Sequence, residues 1–229
     1  MKQSIKYLIV LVLNISNTVQ AQNYSFEAIP DWVKIIEIPH ESSLSKYDIK
    51  SGFYLKLVDY QVSLETNAFF YHEVRNVISY SGITNASQLL ITYDTSYQKL
   101  QIHHLHIWRK GIKIDRTNDL SFEIINNEYN LQQGIYTGAV TAYDNLDDIR
   151  KDDLIDFAYT LVGVNPIFGD DKYLFIPLAA LNPVDLYLVR VLYPKEKDYD
   201  YECVDCDSLQ IIDQEIDDCH QVEIYCENL

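Results

Sequence analysis

Three of the six histidines, His103, His104 and His106, crowd a single short run. Side chains alternate along a strand, so positions 104 and 106 should point to the same face. Two neutral imidazoles so placed can share a metal ion through nitrogen. A third ligand must then arrive from a distant strand, and His72 or Glu73 is the candidate by residue type. The competing explanation is a row of polar residues on a solvated strand face. His72-Glu73-Val74-Arg75-Asn76 carries half of the zinc-protease pattern, in which two histidines one helical turn apart share a face and the intervening Glu acts as base. Asn76 stands where the second histidine belongs, and the run has strand character, so that chemistry is not expected.

The four cysteines, Cys203, Cys206, Cys219 and Cys226, all fall near the end of the chain. In an exported protein disulfides are the default, and four cysteines allow 3 connectivities. Nested pairing would join cysteines 3 residues apart to cysteines 7 residues apart, which a regular ladder cannot satisfy without a bulge or loop. A local Cys203–Cys206 bridge, which would break a strand, stays open. Redox catalysis is disfavoured, because Glu202, Asp205 and Asp207 surround these thiols and like charge raises a thiol pKa. Structural zinc is formally feasible with Cys203 and Cys206, two later cysteines and His220. Asp213, Glu215, Asp217 and Asp218 offer calcium-type oxygen ligands, but no glycine supplies the sharp turn of a calcium loop, and a solvated hairpin tip explains them equally well. No phosphate-cradling loop, nucleophile elbow or dinucleotide fingerprint is present, and no cofactor is expected.

The elements that must carry these residues read as strands. Of 229 residues, 48% are hydrophobic and 13% aromatic, with 19 Tyr against only 7 Gly and 6 Pro, a composition suited to pleated, half-buried surfaces. The clearest strand runs are 53–64, 69–80, 89–93, 99–108, 154–162, 186–193 and 222–226. Arg109-Lys110-Gly111 separates one run from Ile112-Lys113-Ile114 and predicts a tight hairpin, for which glycine supplies positive φ. The best helical candidate is Asn145 to Lys151, a polar segment too short to stand alone. The expected fold is therefore all-β, a mainly antiparallel β-sandwich over residues 46–229, after an irregular lead-in over residues 22–45.

Residues 1–21 have the layout of a secretory signal peptide: Lys2 and Lys6, an apolar run from Tyr7 to Leu13, then a polar stretch ending at Ala21. The run falls far short of the roughly 20 apolar residues of a membrane span. Export to the periplasm or the exterior is expected, with a mature start at Gln22 and no membrane span after cleavage. Cleavage removes two of the 18 basic residues and none of the 34 acidic ones, so the net charge moves from -16 to -18. That excess of acid argues against nucleic-acid binding, which needs Lys and Arg on phosphates.

Five blocks in order carry a likeness to a known family: residues 87–94, 96–103, 108–116, 146–153 and 159–169, among them Trp108-Arg109-Lys110-Gly111 and Leu146-Asp147-Asp148-Ile149-Arg150-Lys151. Together they resemble the N-terminal module that precedes transglutaminase-like domains in exported bacterial proteins, domain-of-unknown-function family 3857. The likeness spans roughly residues 45–229. At one point the chain departs: the family usually has Gly where Asp152 stands, and Asp tolerates positive φ better than most residues. The resemblance implies an all-β accessory module of the cell envelope, fused to or working with a protein partner whose Cys-His-Asp triad performs the chemistry. No catalytic residue carries over, so the module is expected to be non-catalytic. The alternative is a metal- or small-ligand-binding β protein that uses the histidine strand or the cysteine-rich end.

Overall fold

The computed structural model describes residues 23–40, 42, 44, 49–127, 138–169, 172–178, 180–197, 199–204, 206 and 209–229. The expected signal peptide and cleavage point lie outside the described residues. Among the described residues the strands are β1 (Tyr24–Phe26), β2 (Phe53–Ser63), β3 (Ala68–Val77), β4 (Gln88–Asp94), β5 (Lys99–Arg109) and β6 (Ile112–Asp115). They continue as β7 (Glu123–Asn126), β8 (Ala139–Asn145), β9 (Leu154–Val162), β10 (Val184–Pro194), β11 (Gln210–Ile216) and β12 (Cys219–Glu227). The α-helix among them is one turn, α1 (Ile83–Ala86).

Nine strands form one sheet in the order β1-β5-β9-β3-β2-β10-β12-β11, with β6 hairpinned onto β5; a second sheet has the order β4-β8-β7. Most neighbours are antiparallel, as expected, but β1 runs parallel to β5 and β10 parallel to β2. The supposedly irregular lead-in thus begins with a strand of the large sheet. The central strands β2 and β9 are buried almost continuously, because both faces of the large sheet are covered. One face packs on the small sheet: Leu100, Ile102, Leu105 and Ile107 of β5 and Ile155 and Phe157 of β9 meet Leu89, Ile91 and Tyr93 of β4 and Val140 and Ala142 of β8. Each Leu, Ile, Val or Phe among them contributes about 1.5–3 kcal/mol by leaving water. The opposite face is crossed by residues 27–38, where Val33 joins Phe70 and Ala158, flanked by Ile29 and Trp32.

Gln61 on β2 pins this crossing segment as a backbone strand would. Its Oε1 accepts from the Lys34 amide at 2.9 Å, and its Nε2 donates to the Lys34 carbonyl at 2.6 Å. Arg190 adds a donor to the Trp32 carbonyl at 2.7 Å.

The β5–β6 hairpin forms as expected, with Lys110 at φ 51° and Gly111 at φ 78°, the paired positive φ values of a type I′ turn. Asp152 does occupy the left-handed region, at φ 71°. The best helical candidate, Asn145–Lys151, is not helical. Asp148 sits at φ 47°, and Arg109 grips the buried Asp153 carboxylate through Nε at 2.9 Å and Nη2 at 2.8 Å while also donating to the Asp148 carbonyl. These contacts hold the segment as a loop and outcompete a helix too short to nucleate itself.

The cysteine expectation resolves to the local pairing. Cys203 and Cys206 form a disulfide with Cα atoms 5.7 Å apart, between β10 and β11. Cys219 and Cys226 are not bridged. Both lie on β12, where register sets Cys219 opposite Pro194 and Ile216 and Cys226 opposite Tyr187, so neither faces a cysteine.

Candidate functional site

Asp156 lies in the middle of β9, between His106 of β5 on one side and Val74 of β3 on the other. Two residues along β9, Ala158 is flanked by His104 and His72. The small alanine leaves the two imidazoles free to lean diagonally onto the Asp156 carboxylate, a reach that cross-strand geometry allows. Each Nε2 lies 2.8 Å from the same oxygen, Oδ1. An ionised carboxylate only accepts, so both Nε2 atoms carry a hydrogen in this arrangement. Trp108 Nε1 donates to the other oxygen, Oδ2, at 3.1 Å, and His106 Nδ1 stands 3.6 Å from it. His104 and His106 stack with ring centroids 4.4 Å apart and planes 10° from parallel.

Their shared face depends on a bulge. Register between β5 and β9 shifts between Ile102 and His104, leaving His103 as an extra residue. Before the bulge Leu100 and Ile102 face the core; after it Leu105 and Ile107 do. Uninterrupted alternation would have turned His104, His106 and Trp108 into the apolar core. His103 itself is occupied: Nε2 contacts Thr160 Oγ1 at 2.7 Å and Nδ1 the Glu27 carbonyl at 3.0 Å.

Burial opposes ionisation of Asp156, but the hydrogen bonds from His104 and His72, with their charge, hold its carboxyl well below the usual range. Burial, then the neighbouring His104, lowers the His106 pKa. Asp59 on β2, opposite His72 and only 1% exposed, behaves the other way. Its Oδ2 accepts from Gln61 Nε2 at 2.9 Å, whereas Oδ1 has no hydrogen-bond partner among the described residues. Burial pushes its pKa up to about 6, against the Gln61 hydrogen bond and the charge of His72.

Asp59, His72, His104, His106, Trp108 and Asp156 line a cavity of about 270 Å³, roofed by isoleucines of the crossing segment. His72, His104 and Asp156 each offer one ligand atom, all within 4.8 Å of one another. Such a set can hold a cation or bind a ligand carrying donor groups.

Of the other sequence candidates, Glu73 is excluded by strand alternation: it is held by Tyr71 Oη at 3.0 Å and by Arg75 on the core side of the sheet. Cys203 and Cys206 are spent in their disulfide and offer no thiolate. His220 bonds Asp213 and stacks on Tyr193 at the other end of the sheet. Asp213, Glu215 and Asp217 occupy the β11–β12 hairpin, whose turn residue Asp217 has φ 50°. Sequence reasoning missed Asp156 and Asp59. Each is the single acid in a strand made mainly of apolar residues, and that was the available signal, because an acid is seldom buried without a partner or a task.

A two-layer all-β domain with a His–Asp cluster beneath a crossing segment is the class that fold and site define. The chain belongs to the DUF3857 family, a domain of unknown function with a solved structure, whose model matches residues 65–223. No curated protein matches it. Among solved structures it is similar to a provisionally named protease from Parabacteroides distasonis, with a TM-score of 0.58 and 13% identity over 78% of this chain. At that identity the likeness concerns the fold. The match spans just over a third of that protein, 36% of its length.

Proposed function

We propose that the chain is a non-catalytic, exported accessory module of the cell envelope that works beside a separate catalytic domain, of the transglutaminase-like kind implied by the sequence resemblance. The observation that carries this reading is the 36% match: the same fold recurs as a minority portion of a larger protein named as a protease, as an accessory domain does beside a catalytic one. The chain's own reactive groups support it. Burial pushes the Cys226 thiol up, away from thiolate, and Cys203 and Cys206 are bridged. The Asp156 carboxylate is saturated with donors and poorly suited to take a proton at neutral pH. A disulfide also accords with an oxidising compartment.

Purified mature chain should show no turnover in a quenched-peptide assay or in a glutamine-to-amine acyl-transfer assay. Turnover that persists through repurification and disappears in Cys226→Ser or His72→Gln would overturn the reading. Export is tested by cell fractionation and intact mass: a periplasmic or secreted species beginning at Gln22 is expected, and uncleaved cytoplasmic protein would refute it.

A further inference from the structure

We propose that His72, His104 and Asp156 form a binding site for one divalent transition-metal ion of the zinc class, with a fourth coordination position open to the cavity above them. The inference stands independently of the accessory-module reading.

Three observations carry it. The first is the convergence of two imidazole Nε2 atoms on one carboxylate oxygen, each at 2.8 Å, from three adjacent strands of a rigid sheet. Ligand atoms around a tetrahedral zinc, bonded at about 2.0–2.1 Å, stand roughly 3.3 Å apart. Each N···O spacing needs to widen by only about half an ångström, and the two imidazole ligand atoms already lie within 4.8 Å of each other. The second is the way the carboxylate is held. Trp108 Nε1 fixes Oδ2 at 3.1 Å, leaving Oδ1 to the two imidazoles, and outer-shell donors of this kind orient metal ligands. The third is Asp59 Oδ1, a buried carboxylate oxygen in the same cavity with no hydrogen-bond partner among the described residues, where a coordinated water or cation would satisfy it.

The local charge balance is compatible. Lys34 lines the cavity, but Glu223 holds its ammonium at 2.9 Å. Lys113 at the rim is set against Asp156 and Asp59. Two nitrogens and one oxygen make a borderline donor set that suits zinc, cobalt, nickel or copper rather than calcium or magnesium. On binding, each neutral imidazole moves its proton from Nε2 to Nδ1 and gives the Nε2 lone pair to the ion. An imidazole that starts protonated instead releases one proton to solvent.

The test titrates tag-free, chelator-treated protein with Zn²⁺ by calorimetry and with Co²⁺ by visible absorption. One ion per chain is expected, with the intense visible bands of four-coordinate cobalt. His72→Gln and His104→Gln keep an amide donor for Asp156, preserving the buried hydrogen bond while removing a good metal ligand. Each should weaken binding at least about 100-fold, and Trp108→Phe about 10-fold or more. His220→Gln should change nothing. Absence of binding, or unchanged binding in the folded His72→Gln/His104→Gln double variant, would overturn the proposal. Should the variants fail to fold, ¹⁵N NMR of the wild-type imidazoles decides. Zn²⁺ must shift the Nε2 resonances of His72 and His104, and unshifted resonances would refute the site.

Discussion

Asp59 and Asp156 face the same cavity, yet their surroundings drive them apart. Asp156 has three donors within hydrogen-bond reach and stays ionised. Asp59 has one donor, and burial lifts it from an ordinary 3.8 to about 6. A raised carboxylate costs stability when ionised, fully above the folded pKa and not at all below the unfolded one. Two pKa units correspond to about 3 kcal/mol at most. In chelator, Asp59→Asn should therefore be more stable than wild type at pH 8, by up to about 3 kcal/mol, with the gap closing as pH falls from about 6 to 4. Denaturant unfolding at several pH values measures it, and a gap that stays constant across that range would show that the Asp59 charge is not what is relieved. At this scale the sequence was partly legible. Period two correctly placed His104 and His106 on one face. Residue type also named His72, which does join them, but Asp156 was unreadable, because it depends on which strand lies next to β5.

Turns and bulges set the facing of whole elements. The bulge at His103 inverts the parity of β5, so that one strand feeds the apolar core at one end and a polar cluster at the other. Sequence periodicity saw the strand and the Lys110-Gly111 turn, since both follow from local backbone preferences. It offered Asn145–Lys151 only as the best helical candidate, and the ion-pair partners that shape this loop, Arg109 and Asp153, lie outside it. The neighbouring turn is testable. Asp152, at φ 71°, is 78% exposed in its side chain, so substitutions there report mainly backbone strain. Asp152→Val should destabilise by about 1–2 kcal/mol, whereas Asp152→Gly should be neutral or slightly stabilising. Thermal unfolding checks the order, and equal loss in both variants would mean that the side chain matters more than the φ angle.

For the molecule as a whole, the crossing segment over residues 27–38 is the joint between fold and site. It covers one sheet face, roofs the cavity, and is held by the two-way Gln61–Lys34 amide clamp and by Arg190. Gln61→Ala removes the clamp and both hydrogen bonds to the Lys34 backbone, a loss of about 1–3 kcal/mol. Limited proteolysis should then cut between residues 27 and 40 well before the strands, while wild type resists. Equal rates in the two proteins would show that the segment is held by its apolar contacts alone.

The amino-acid sequence by itself determined the strand content, the hairpin turn, the tolerance of Asp152 for a left-handed backbone and the common face of two histidines. These are local consequences of side-chain shape and alternation, each decided within a few residues. Tertiary structure decided the rest. The parallel pairing of β2 with β10, the bulge that turns the histidines away from the core and the meeting of His72, His104 and Asp156 all require segments far apart in the chain to be placed first. Strand order in a mixed sheet is set by how both of its faces are covered, and no single strand carries that information in its own pattern.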